Sequence, residues 1–197
     1  MENNDKLTKI YQDIIKDPLN KDLILKGFLP VYQAHSSAKI LIIGQAPGLI
    51  AQNSGILFKD KSGIELRKWL NVTELEFYNK ENFAILPMDF FYPGKAKTGD
   101  LPPRINFAEK WHKQILKELK EIKLTILIGN YANKFYLKDK MEKNLTLTVK
   151  NYNNYLPKYF PIVHPSPLNF RWHMKNPWFK LEVIDVLGNL VKNILKS

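Results

Sequence analysis

The chain has 197 residues, 45% of them apolar, and its 30 Lys and Arg against 19 Asp and Glu give a net charge of +11. That length supports one sizeable core, and the charge points to a polyanion such as nucleic acid, with a merely solvated lysine-rich surface as the alternative. The absence of Cys excludes disulfides, a thiolate zinc site and a cysteine-held iron–sulfur cluster, and it fits a reducing, cytoplasmic setting.

The first 17 residues are charged throughout, and no later apolar run approaches the roughly 20 residues of a membrane helix, so neither a signal peptide nor a membrane span is expected. In chain order, Leu7, Ile10, Tyr11, Ile14 and Ile15 fall at helical spacing and predict an amphipathic helix closed by Pro18, within a helical segment 1–37. Short β-branched runs at 39–43, 83–86, 124–128 and 159–163 read as strands. Pro161 in the fourth suits an edge strand or a strand start, because it cannot donate to a ladder. Helical patterns separate these runs, with opening caps expected at Ser62 with Glu65, Thr73 with Glu76, Asn106 with Glu109, and Asn176 before Pro177. Strands alternating with helices predict an α/β fold: a single three-layer α/β/α domain over 1–197 around a central, mainly parallel four-stranded sheet.

Ligands of such sheets sit beyond the carboxyl ends of the strands. There the sequence reads Gly44-Gln45-Ala46-Pro47-Gly48 after the first run, Pro87-Met88-Asp89 after the second, Gly129-Asn130 after the third and His164-Pro165-Ser166-Pro167-Leu168 after the fourth. Four strand ends are expected to converge on one pocket. Singly, each has a plain reading as a turn or as a hydrogen-bonding histidine.

As a pair, the first and last of these segments are far more specific. Gly-x-x-Pro-Gly after the first strand and His-Pro-Ser-Pro-Leu after the last resemble the two signature motifs of the uracil-DNA glycosylase superfamily, over a stretch from about residue 39 to the C-terminus. Gln45-Ala46 makes the first motif most like that of the iron–sulfur branches, without their cysteines. The resemblance implies a monofunctional DNA glycosylase that extrudes a deaminated or damaged base, uracil first, into a pocket and hydrolyses its N-glycosidic bond in base excision repair. The alternative is a nucleic-acid-binding relative of the same fold that has lost hydrolysis.

The resemblance also implies roles for individual residues. His164 donates a hydrogen bond to the departing base's carbonyl oxygen. Gly44, Gln45 and Ala46 line the base site, and Phe58 stacks on the base, with a core aromatic as its alternative. Pro47, Gly48, Ser166 and Pro167 approach the DNA backbone, Leu168 wedges into the duplex, and Lys95, Lys97, Arg104, Arg171 and Lys175 hold phosphates. Several branches place Asp or Asn where Ala46 stands, and the relative most like this chain has Glu where Gln45 stands. Gln45 can only position water or contact the base, so a carboxylate must come from Asp89, Asp60 or Asp100. Asp89 would also read ring N–H groups of the base. The four histidines lack paired-ligand spacing, so no metal and no cofactor is expected, and the partner is DNA bound by a monomer.

Overall fold

The structure, a computed structural model, describes residues 2–197. Helix α1 (Glu2–Lys16) leads through a short turn at Pro18 into α2 (Lys21–Leu25), and the chain then enters β1 (Ile40–Ile43). Helices α3 (Leu49–Ser54), α4 (Lys61–Leu70) and α5 (Glu74–Tyr78) separate β1 from β2 (Phe83–Ile85). Helix α6 (Phe107–Leu116) leads to β3 (Leu124–Ile128), and α7 (Gly129–Leu137) and α8 (Leu145–Lys150) lead to β4 (Tyr159–Ile162). Helix α9 (Phe170–Lys175), a π-helical turn (Phe179–Val183) and α10 (Ile184–Lys196) complete the chain.

The four strands form one sheet in the order β2-β1-β3-β4. Every pairing is parallel, with Ile40 opposite both Phe83 and Leu124, and Ile126 opposite Phe160. This is the predicted fold, and each strand boundary lies within one residue of its reading from sequence. The strands are buried on both faces, as parallel sheets require. Ile40, Ile42, Phe83 and Ile85 face a core closed by Leu66, Trp69 and Phe77 and by Phe179 and Leu187. Leu41, Ile43, Ala84 and Leu86 face a second core closed by Leu7, Ile14, Trp111, Ile115 and Ala132. Each fully buried large apolar side chain, such as Phe77 or Phe160, stabilises the fold by about 1.5–3 kcal/mol relative to exposure. Pro161 stands on the edge strand β4, where its missing N–H is tolerated.

Two caps differ from expectation and two agree in position. The cap of α4 is Asp60, whose Oδ1 accepts from the Gly63 amide at 3.1 Å, so Ser62 lies inside the helix. Thr73 and Glu76 form the expected reciprocal box. Asn106 caps α6, but in a left-handed conformation and without a side-chain bond. Asn176 ends α9, and only its backbone carbonyl meets the π-helical turn, accepting from Phe179 at 3.1 Å.

Among the described residues, no helix is long and apolar enough to cross a membrane. None of their His, Asp and Glu side chains gather into a group able to hold a metal.

Candidate active site at the strand ends

A cavity of about 520 Å³ opens where β1, β2 and β4 end, within the size range of small-ligand sites. Gly44, Gln45, Ala46, Pro47 and Gly48 form one wall, Phe58 and Asp60 another, and Pro87 and His164 close it from the neighbouring strands. Three strand ends therefore meet here, rather than four. At the third, Gly129 turns with φ +77° directly into α7 and carries Asn130 outward.

Backbone bonds make the first wall rigid. The Gly44 carbonyl accepts from Met88 at 2.9 Å, and the Gln45 carbonyl accepts from Asp89 at 3.2 Å, which ties the β1 turn to the loop after β2. Buried Gln52 on α3 donates to Leu29 O at 2.8 Å and accepts from Tyr92 N at 2.7 Å, anchoring the same loop. The Pro87 carbonyl can only accept, so His112 donates to it through Nε2 at 2.9 Å and accepts from the Tyr136 hydroxyl through Nδ1 at 2.6 Å. Burial pushes the His112 pKa down to about 4, against a smaller opposing effect of the Pro87 bond. His112 is thus a neutral strut behind the cavity.

His164 stands two residues beyond β4, and its carbonyl accepts from Asn169 at 2.7 Å, which fixes the loop that presents the ring. Burial holds its pKa below the usual histidine range, with the nearby Asp60 carboxylate acting in the opposite sense. A neutral imidazole is favoured there, able to donate one hydrogen bond into the cavity. Asp60 is exposed, and its Oδ1 is engaged as the α4 cap, so Oδ2 is the atom left for a further partner.

Phe58 has φ +56°, a left-handed backbone that costs a non-glycine residue about 1–2 kcal/mol. Its ring tip lies 3.6 Å from where a Cβ on Gly44 would stand. The ring also packs edge-on against Phe77 at 6.2 Å between centroids. Phe58 is therefore a cavity wall backed by the core.

The carboxylates expected from sequence separate sharply. Asp89 is fully buried and does not line the cavity. Its Oδ2 accepts from Arg104 Nε at 2.7 Å and its Oδ1 from Arg104 Nη2 at 2.8 Å, with the amides of Phe91 and Arg104 adding further bonds. With its lone pairs committed inside the fold, Asp89 faces neither a base nor a water in the cavity. Arg104 is equally committed: it also bonds Asn20 Oδ1 at 2.8 Å and lies 4.5 Å over the Phe107 ring. It joins the N-terminal segment to the body instead of reaching toward phosphate. Asp100 does line the cavity, together with Tyr92 and Lys95, lying 3.8 Å from Lys95 and 3.4 Å from the Tyr92 hydroxyl. Lys95 and Asp100 belong to a hairpin, 94–101, in which Leu101 N bonds Gly94 O; Gln45 Nε2 approaches Leu101 O at 3.5 Å.

Beyond the cavity, Ser166 caps the turn Pro167–Asn169 by accepting from Leu168 N at 3.2 Å. Leu168 is held out at 87% exposure. Lys97, Arg171 and Lys175 are exposed. Lys59, Leu49, Ile50 and Tyr92 line the cavity without having been singled out from sequence. Tyr92, three residues beyond Asp89, was the one with a positional signal.

A three-layer parallel α/β fold with a ligand-sized cavity at its strand ends, walled by a glycine-rich turn, an aromatic ring and a half-buried imidazole, defines the class: an α/β protein with an enzyme-like cleft. A family profile described as the Uracil DNA glycosylase superfamily matches residues 30–188. The chain belongs to that superfamily, whose members act on DNA and in general hydrolyse N-glycosidic bonds. Residues 1–29 lie outside the match, yet Leu7 and Ile14 sit in the second core.

Proposed function

We propose that this protein is a monofunctional DNA glycosylase that hydrolyses the N-glycosidic bond of a deaminated or damaged base, with uracil the first substrate to test. The observation that carries the reading is that His164, Phe58, Asp60 and the 44–48 turn line one cavity. As the bond from C1′ to the base nitrogen breaks, its electron pair leaves with the base and positive charge grows on the sugar. The neutral imidazole of His164 stabilises the departing base by donating to its carbonyl oxygen, and that bond strengthens as charge develops. Water then adds its oxygen to C1′. In this reading Asp60, whose second oxygen its cap leaves open, orients that water and accepts its proton, a task left open by Gln45 and Ala46. The base takes up a proton from solvent.

The base reaches the cavity by extrusion, with Leu168 filling the gap in the duplex and Ser166, Lys95, Lys97, Arg171 and Lys175 meeting phosphates. The Ser166 hydroxyl accepts from Leu168 N, so its own proton remains available to a phosphate oxygen. The second reading, a binding relative without hydrolysis, rests on the amide and methyl groups at Gln45 and Ala46, where a carboxylate would otherwise serve.

One assay separates the two. Oligonucleotides bearing uracil, hypoxanthine, xanthine or an alkylated purine are incubated with the protein, and abasic sites are cleaved with alkali. Strand cleavage with at least one of them supports hydrolysis. Salt-sensitive binding to all of them without cleavage supports the second reading.

A further inference from the structure

We infer that Arg67 and Tyr78 are positioning residues that set how tightly the cavity grips an extruded base, by locking the backbone of Phe58. The inference rests on the proposal that this cavity receives a base. Neither residue lines the cavity; both act from behind it. The Phe58 carbonyl accepts from Arg67 Nη1 at 3.0 Å and lies 3.0 Å from the Tyr78 hydroxyl, which is also 3.0 Å from Leu57 O. Arg67 is itself buried at 8% exposure, its Nη2 bonded to Glu74 at 3.2 Å and its guanidinium 5.7 Å over each of the Phe77 and Tyr78 rings. The third part of the clamp is Gly63. A Cβ there would stand 1.6 Å from the Phe58 oxygen and 2.4 Å from its carbonyl carbon, so the carbonyl is seated on the bare Cα of α4.

These contacts explain how Phe58 keeps a left-handed backbone that an L residue seldom adopts unless its surroundings hold it there. They also explain why the device stands apart from ordinary core packing. A buried arginine and a tyrosine hydroxyl converge on one loop carbonyl, and the residue that owns this carbonyl presents its ring to the cavity. With the hydroxyl gone, the Phe58 carbonyl keeps only the arginine donor, and the ring loses its fixed plane against Gly44 and Phe77. A stacking surface that must be re-ordered at each binding event grips a base less well than one held in place beforehand.

The test compares two duplexes, one carrying a cleavage-resistant 2′-fluorinated deoxyuridine and one carrying a tetrahydrofuran abasic analogue, so that the ratio of their Kd values reads contact with the base alone. Tyr78→Phe should reduce that preference about 5-fold while leaving affinity for the abasic duplex within twofold, and Arg67→Lys should do the same to a lesser degree. Phe58→Ala should abolish the preference, and adding Tyr78→Phe to it should change nothing further. Tyr78→Phe removes a single oxygen and keeps the ring, so folding is retained; Arg67→Lys serves as a second arm. A preference that Phe58→Ala abolishes but that survives both Tyr78→Phe and Arg67→Lys overturns the clamp while leaving the base site standing. If Phe58→Ala itself leaves the preference unmoved, the base-site reading falls, and the clamp with it.

Discussion

The ends of β1 and β2 lie side by side and both border the cavity, but the polar side chains just beyond them are put to opposite uses. After β1 the chain turns through 44–48 and lines a cavity; after β2 it buries Asp89 and closes over it with Arg104. The difference is one of partners. At the first end, Gln45 has only a 3.5 Å approach to Leu101 O, and Asp60 keeps one oxygen free of its cap. At the second, a guanidinium has taken both oxygens of Asp89, and a carboxylate so paired is a strut. A strand end thus marks where a ligand can sit, but the nearest cation decides which of its acids can meet one.

The comparison is broken most severely by removing the strut. Asp89→Asn should cost about 3 kcal/mol of stability, since a buried pair that loses one member leaves the other uncompensated, with Arg104 partly relieved by its 32% exposure. Chemical denaturation measures it; a loss below about 1 kcal/mol would mean that the β2 end is not held as described. His164→Ala, on the cavity side, should instead leave stability nearly unchanged and cut the single-turnover rate by about 10²-fold or more, with duplex affinity preserved. If affinity falls in step with the rate, His164 binds rather than catalyses.

Asp60→Asn sharpens the contrast between carboxylates. Asn caps a helix as well as Asp, so the variant should fold normally, while its single-turnover rate falls about tenfold or more. Asp100→Asn, which changes an acid on the exposed hairpin, should cost less than about threefold. Equal rates for Asp60→Asn and the parent would remove Asp60 from the chemistry.

A further modest effect is expected from pH, on the β2 side. His112 has its folded pKa depressed to about 4 from an ordinary 6.5, so between these values the unfolded chain binds the extra proton and the folded one does not. Stability from this group is therefore full above about pH 6.5 and declines as pH falls toward 4, by about 1 kcal/mol between pH 7 and 5.5. Denaturant midpoints of the parent and His112→Gln at both pH values check this. The slope attributable to His112 is the difference between the two proteins, and identical slopes would contradict it.

Apolar runs by themselves determined the four strands, because burial on both faces of a parallel strand leaves a run with few polar breaks, legible at 40–43 and, broken only by Thr125, at 124–128. Local chemistry also determined the Thr73–Glu76 box, and the lack of a donor on Pro161 left an edge strand or a strand start, of which the sheet order realises the edge. The two motifs located the cavity, because glycine and proline constrain a turn wherever it occurs. What a polar side chain does there depended on residues distant in the chain. Asp89 and Asp60 look alike in sequence, yet Arg104, fifteen positions on and packed against the N-terminal segment, claims the first. Asp60, read in sequence as a second-ranked acid, is also the cap of α4, two residues ahead of the Ser62 predicted for that role. No local signal ties Phe58 to Arg67, Tyr78 and Gly63, because their bonds converge on a backbone carbonyl, which is the same in every residue. Only the packing of α4 and α5 against that loop decided where the carbonyl points, and with it the plane of the ring.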